Sequence, residues 1–135
     1  MKRALLFVAM LPMIALAGKT EREYMKNEVM PALRTAEETF KSSCGCPLKI
    51  SLDEATINEE KGMYEAKHVG EGVTSGAPGY CSDDASKKAV CQMKTLKIMK
   101  AKPTEFKWDG KSEGTAVTDG NSYVSFDMMT AKLDK

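Results

Sequence analysis

Four cysteines are the residues of this 135-residue chain whose type and spacing could do chemistry. Cys44 and Cys46 flank a single glycine, and Cys81 and Cys91 follow later in the chain. Thiols form disulfides, exchange with other disulfides and bind soft metal ions such as Cu(I). Dithiol redox enzymes typically carry C-x-x-C in a βαβ setting, and neither feature is evident in this sequence. We therefore expect structural disulfides at all four positions.

The sequence does not determine how these cysteines pair, because four cysteines allow three connectivities. A bridge between Cys44 and Cys46, only two residues apart, would be strained. We therefore favour two cross-links that join the Cys44/Cys46 pair to the Cys81/Cys91 pair. A periplasmic thiol-redox or copper-handling protein that uses Cys44-Gly45-Cys46 is the alternative hypothesis.

The other residue types that carry chemistry give no catalytic arrangement. His68 is the only histidine, and no G-x-S-x-G sequence offers it a nucleophile. We expect it on one face of a strand with Tyr64 and Ala66, with its ring nitrogen bonded locally. The methionines after residue 17 mostly recur at apolar positions typical of a core and form no dense M-x-M array. We therefore assign no catalytic residue, no metal ligand and no cofactor, and we expect no enzymatic activity.

Lysines are concentrated between residues 87 and 111, where eight lysines accompany only two carboxylates. A solvated sheet face or edge explains such a run, because lysines discourage edge-to-edge pairing. The functional alternative is a docking surface for an anionic partner, such as an acidic protein, a cell-wall polymer or a lipid headgroup. Its candidate binding residues are Lys94, Lys97, Lys100 and Lys102. A net charge of +1 removes the electrostatic argument for a nucleic-acid partner.

Residues 1–17 have the pattern of a secretory signal peptide. Lys2 and Arg3 precede an apolar run that closes with Ala-Leu-Ala at residues 15–17. The run is short for a membrane span, and no later stretch reaches the roughly 18 apolar residues that a membrane helix needs. We expect cleavage after Ala17, a single α+β domain over residues 18–135 with no membrane span, and a periplasmic or secreted product.

The elements that must position these residues begin with a helix from Thr20 to about Ser43. Its apolar stripe recurs at spacings of three and four residues and consists of Met25, Val29, Leu33, Ala36 and Phe40. Thr20 and Glu23 form a capping-box pattern, and Gly45 marks the end of the helix. Pro31 predicts either a kink or two short helices that meet there.

Alternating apolar residues and turn signals organise the rest of the chain. Candidate strands lie at residues 48–52, 63–69, 90–102, 106–108, 115–118 and 123–128. Residues 90–102 also fit a continuing helix. The glycines and Pro78 of residues 70–80 predict a loop, and Asp83 and its neighbours predict a short helix through Ala89.

The expected fold is α+β, with an N-terminal amphipathic helix packed on a four- or five-stranded antiparallel sheet. It is disulfide-braced and cystatin-like in general shape, and shape alone assigns no function. By elimination, the leading hypothesis is a small exported, non-enzymatic binding or inhibitor-type protein. Its partner would be an unknown protein or envelope component, contacted through the glycine-rich loop or the lysine-rich region.

Overall fold

The computed structural model describes residues 18–134, which form an α+β fold of four helices and four strands. Helix α1 consists of an α-helical segment Lys19–Tyr24, a π-helical segment Met25–Val29 and an α-helical segment Met30–Cys44. The other helices are α2 (Glu60–Tyr80), α3 (Asp84–Val90) and α4 (Phe126–Leu133). The strands are β1 (Lys49–Leu52), β2 (Thr95–Lys100), β3 (Glu105–Trp108) and β4 (Glu113–Thr118). The predicted signal peptide, residues 1–17, lies outside the described residues.

The sheet is mixed, with the strand order β1-β2-β4-β3. Strand β2 pairs in parallel with both β1 and β4, whereas β3 pairs antiparallel with β4. The prediction of an antiparallel sheet is therefore wrong. Parallel neighbours need a long crossover connection, and α2 with α3 supplies it between β1 and β2.

Helix α1 buries the whole predicted apolar stripe. Gly45 ends the helix in the left-handed region, at φ 80°. Pro31 does not divide the helix, and the turn before it, Met25–Val29, is π-helical. Because proline lacks an N–H and its ring clashes with the carbonyl four residues back, a wider turn accommodates it. The capping-box prediction is wrong, because the helix begins at Lys19 and Thr20 therefore lies inside its first turn. The N-cap residue is Gly18, which has no side chain to form a cap hydrogen bond.

Helix α2 replaces both the strand predicted at 63–69 and the loop predicted at 70–80. Its buried residues recur at helical spacing and include Met63, Ala66, Val69, Val73 and Ala77. The glycines permit close packing: a Cβ at Gly70 would lie 2.9 Å from Leu33 Cδ2, and a Cβ at Gly76 would lie 2.6 Å from Phe126 Cδ2. The glycine-rich segment therefore belongs to the helical core, and the binding loop expected there does not exist.

The strand predicted at 123–128 is also wrong, because helix α4 begins there. Ser125 caps this helix, and its Oγ accepts a hydrogen bond from the backbone N–H of Met128 at 3.2 Å. Val124 and Phe126 are buried, whereas Met128 is exposed. The turn at Asp119 therefore leads from β4 into a helix and does not begin a further strand.

Several predicted elements are confirmed with shifted bounds. Strands β1, β3 and β4 lie where the alternating pattern placed them, and residues 90–102 form a strand only over Thr95–Lys100. Helix α3 follows Asp83, whose carboxylate accepts a hydrogen bond from the Ser86 backbone N–H at 2.8 Å. Short-range patterns in the sequence were therefore sufficient to predict these elements.

Two disulfides connect the end of α1 with the region around α3. Cys44 is bonded to Cys81, and Cys46 to Cys91, so the favoured pairing is confirmed. Cys44 and Cys81 are each only 3% exposed, which makes the first bridge part of the hydrophobic core. In the part of the chain that the structure describes, each helix is too short or too polar to cross a membrane.

Candidate functional site

The cysteines that suggested thiol chemistry are all bonded. The described residues include all four, and none of them is free. Since the nucleophile and metal ligand is the thiolate, Cys44-Gly45-Cys46 offers neither function in this form. Within residues 18–134, no three His, Cys, Asp or Glu side chains form a group that could hold a metal ion.

The four candidate binding lysines do not share one surface. Lys97 alternates with the buried residues of β2 and lies on the outer face of the sheet. Lys100 points toward the helices, where its Nζ is 3.6 Å from Glu59 Oε1. Lys94 precedes β2 and Lys102 follows it, so they lie at opposite ends of the strand. Their role in binding an anionic partner stays a prediction, and the four residues are dispersed.

An aromatic cluster, defined as Tyr64, His68 and Tyr123, lies at the surface of α2. The ring centroids of Tyr64 and His68 are 4.3 Å apart in an edge arrangement, and those of His68 and Tyr123 are 4.9 Å apart and stacked. Tyr64 is 52% exposed and Tyr123 is 43% exposed. Tyrosines fixed in this way offer a large contact area at a small cost in side-chain entropy.

Helical spacing positions two members of the aromatic cluster. Tyr64 and His68 are four residues apart in α2 and therefore lie on one face of the helix. His68 Nδ1 is 3.0 Å from Glu71 Oε1. The local partner expected for His68 is therefore present, although the residue lies on a helix and not on a strand.

A hydrogen-bonded turn positions Tyr123. Asp119 Oδ1 accepts hydrogen bonds from the backbone N–H groups of Asn121 at 2.8 Å and of Ser122 at 3.0 Å. The bond from Asn121 in particular lowers the pKa of the Asp119 carboxyl. Asp119 N in turn donates to Thr104 Oγ1 at 3.0 Å, which ties the turn to the β2–β3 connection. These hydrogen bonds therefore fix the conformation of the turn that precedes Tyr123.

A groove of about 540 Å³, here called the α2 groove, adjoins the aromatic cluster at Tyr64. Its lining comes from α1, α2 and the turn after β4 and consists of Tyr24, Glu60, Lys61, Tyr64, Glu65, Gly120 and Asn121. Ligand sites commonly measure about 300–1,000 Å³. The α2 groove is therefore large enough for a long side chain or a small organic group.

Glu65 supplies the buried polar group of the α2 groove. It is 6% exposed, and its Oε1 accepts a hydrogen bond from Thr118 Oγ1 at 2.9 Å. The Thr118 hydroxyl also contacts the Ser122 carbonyl. Among the described residues, no Lys, Arg or His nitrogen forms an ion pair with Glu65. The groove thus contains a buried carboxyl group that has a neutral hydrogen-bond partner and no counter-ion.

Tyr24 forms another part of the wall and already contacts a cation. Lys67 Nζ lies 5.9 Å from the centroid of the Tyr24 ring and 3.1 Å from Glu28 Oε1. The hydrogen bond to Glu28 raises the pKa of Lys67, so this ammonium group stays charged. Burial raises the pKa of Tyr24, so its hydroxyl stays neutral.

These groups can bind a ligand by ring stacking, by attraction of a cation and by hydrogen bonding. Tyrosine rings stack on planar groups and attract cations, and a buried carboxylate forms strong charge-assisted hydrogen bonds. Glu71 holds the His68 ring at Nδ1, an arrangement that orients the imidazole and supplies no nucleophile. The groups of this site therefore suit the binding of a cation or of a planar group.

A second groove, of about 520 Å³, lies between β3 and α4. It is lined by Thr104, Glu105, Phe106, Met128, Ala131 and Lys132. Its two charged residues are not buried, and neither tyrosine nor histidine contributes to it. The α2 groove is the stronger candidate because a buried charge and exposed aromatic rings meet there.

This site is not evident from the sequence. Tyr24, Tyr64 and Tyr123 are far apart along the chain, and only the packing of α1, α2 and the turn brings them together. The one local signal was the spacing of Tyr64 and His68, which is four residues and becomes informative only if the segment is a helix. The chain matches no family model, no curated protein and no solved structure.

Proposed function

We propose that this chain is a small exported, disulfide-braced, non-enzymatic binding protein of inhibitor type, and that it contacts a partner polypeptide through the aromatic cluster and the α2 groove. One observation carries the proposal. Three of the four tyrosines and the only histidine come from three separate parts of the chain, with Tyr64 and His68 on the same helix, and converge on one partly exposed surface.

The chemistry of this surface favours a polypeptide partner. Tyrosine is enriched in protein interfaces, where rigid, partly polar rings bury area at little entropic cost. The aromatic cluster is held by α2 and by the turn at Asp119, so little of it would have to reorganise on binding. Fixed contact groups of this kind suit a binding module.

Export rests on two features of the chain. The two disulfides are consistent with an oxidising compartment, and residues 1–17 have the composition of a signal peptide. We therefore place the protein in the periplasm or outside the cell. N-terminal sequencing of the natural product should give Gly18 as the first residue, and an intact Met1 would contradict export.

The thiol-redox and copper-handling alternative receives no support from the sulfur atoms. All four cysteines are in disulfides, and the bridge between Cys44 and Cys81 is buried away from any substrate thiol. Exchange requires an accessible sulfur that a thiolate can attack. The Cys46–Cys91 bridge is partly exposed, so it is the bridge at which thiol exchange would have to take place.

Site-specific photo-crosslinking in the native host tests the proposed surface. A benzoylphenylalanine side chain at Tyr64 or Tyr123 should give a defined adduct with a partner polypeptide. The same probe at Lys97 or Lys107, which lie on the outer sheet face, is the matched control and tests the lysine-rich region as well. Adducts only from the lysine positions, or from no position, would contradict the proposal.

A further inference from the structure

We infer that the α2 groove accepts a basic side chain of the partner, an arginine or a lysine, with Glu65 as its counter-ion. This inference rests on the proposed function and adds the chemical class of the group that is recognised. Three features of the groove carry it: the buried carboxyl group of Glu65, the tyrosine walls and the balance of charge along the lining.

The buried carboxyl group is the first feature. Ionised carboxylates at low exposure are costly unless a cation pairs with them. Glu65 is 6% exposed and has the Thr118 hydroxyl as a neutral partner. Since no described Lys, Arg or His forms an ion pair with Glu65, an incoming cation would supply the missing counter-ion.

The tyrosine walls are the second feature. A guanidinium or ammonium group is attracted to the face of an aromatic ring within about 6 Å of its centroid. Tyr24 and Tyr64 both line the groove, and Tyr24 already has the Lys67 ammonium at 5.9 Å. The planar guanidinium of arginine suits such walls particularly well, because it stacks on the ring while its N–H groups bind a carboxylate.

The charge along the lining is the third feature. The groove is lined by two carboxyl groups, Glu60 and Glu65, and by one cation, Lys61. Two further ammonium groups lie beside the lining, and each is next to a carboxylate outside it: Lys100 Nζ, close to Gly120, is 3.6 Å from Glu59 Oε1, and Lys67 Nζ, close to Tyr24, is 3.1 Å from Glu28 Oε1. The lining therefore carries a net negative charge when its carboxyl groups are ionised, which favours a cationic ligand and opposes an anionic one.

Tyr64 connects the α2 groove with the aromatic cluster. This continuity favours a cationic group that is part of a polypeptide over a free cation. Tyr64 lines the α2 groove and also contacts His68. A peptide that places a basic side chain in the groove can lay neighbouring residues over His68 and Tyr123. A free amine would occupy only the α2 groove and would not contact His68 or Tyr123.

Nuclear magnetic resonance titration of the full mature protein with two matched peptides tests the inference. The probes are acetyl-Ala-Arg-Ala-amide and the same peptide with citrulline, which has nearly the same shape and no charge. The arginine peptide should shift the backbone amide signals of residues 60–65 and 120–121 and bind about tenfold more tightly than the citrulline peptide. Equal affinities, or shifts confined to other regions, would overturn the inference.

Two variants in the groove and one control variant test the role of charge directly. Glu65→Gln keeps the side-chain shape and a carbonyl that can accept from Thr118, and it should weaken binding of the arginine peptide about tenfold. Lys61→Gln removes a repelling charge and should strengthen it about two- to threefold. Glu113→Gln, at an exposed carboxylate of β4, is the control and should change nothing. If Glu65→Gln fails to fold, the comparison of the two peptides on the unaltered protein still decides.

The two proposals fail in different ways. Adducts from Tyr64 and Tyr123 together with equal binding of both peptides would retain the binding surface and reject the basic side chain. Absence of those adducts would reject the binding surface whatever the peptides show.

Discussion

The glycines of helix α2 have very different surroundings, although all are helical. A Cβ at Gly70 would lie 2.9 Å from Leu33 Cδ2 and 3.3 Å from the Ala32 carbonyl oxygen, whereas a Cβ at Gly79 would have nothing within 4 Å. Gly70 therefore lets α1 and α2 approach each other closely, and Gly79 plays no part in that contact. The same substitution should have opposite effects at the two positions.

We expect Gly70→Ala to lower the free energy of unfolding by about 1–3 kcal/mol, because the methyl group forces the two helices apart. Gly79→Ala should raise it by about 0.4–1 kcal/mol, since alanine reduces the entropy of the unfolded chain. Urea unfolding followed by circular dichroism measures both values. Similar changes at the two positions would show that the α1–α2 contact does not depend on glycine.

Among the elements, β1 is an edge strand whose outer backbone groups are bonded by α1. The Ile50 backbone N–H donates to Glu37 Oε2 at 2.6 Å, and Arg34 Nη2 donates to the Ile50 carbonyl at 2.9 Å. Arg34 and Glu37 also form an ion pair at 3.3 Å. The helix thereby occupies strand groups that could otherwise pair with another chain.

Removal of this edge contact should destabilise the protein and expose the edge. Glu37→Ala is expected to lower the free energy of unfolding by about 1–2 kcal/mol, because the Ile50 N–H loses a charged partner. It should also increase self-association, which light scattering detects. Glu38→Ala, an exposed carboxylate one residue along the same helix, is the control and should stay within about 0.5 kcal/mol. Equal losses at both positions would argue against a role for the edge contact.

For the whole molecule, the two disulfides restrict the unfolded chain most strongly because they close long loops. The bonded residues are separated by 37 positions in one bridge and 45 in the other. In the chain-entropy model, loops of these lengths correspond to about 4 kcal/mol of stability each. The two bridges differ in burial, since Cys44 and Cys81 belong to the core and Cys46 and Cys91 are partly exposed.

Because the Cys44–Cys81 bridge is buried, we expect the removal of the two disulfides to lower the free energy of unfolding by different amounts. Replacement of Cys46 and Cys91 by alanine should lower the free energy of unfolding by about 4 kcal/mol. Replacement of Cys44 and Cys81 should lower it further, because the lost sulfur atoms leave a cavity in the core. Guanidinium unfolding of the two double variants gives the comparison. A larger loss for the Cys46/Cys91 variant would contradict this assignment of the core bridge.

The sequence by itself determined the features that depend on residues close together in the chain. The stripe of α1 was recognisable because residues three and four apart share a helix face, and β1 because alternate residues share a sheet face. The short distance between Cys44 and Cys46 disfavoured a bond between them and so favoured cross-links to Cys81 and Cys91, but which cysteine bonds which was decided by the tertiary structure.

Only the tertiary structure decided the features that depend on distant residues. Glycine disfavours an isolated helix, and residues 70–80 therefore have the composition of a loop. In the folded protein this segment is helical, and the close approach of Leu33 to Gly70 and of Phe126 to Gly76 leaves no room for a larger residue at either position. That helix is part of the crossover that lets β1 and β2 pair in parallel. It also brings Tyr64 to the groove that Tyr24 lines. Local propensity does not encode such contacts, because the free energy that stabilises them comes from packing between elements.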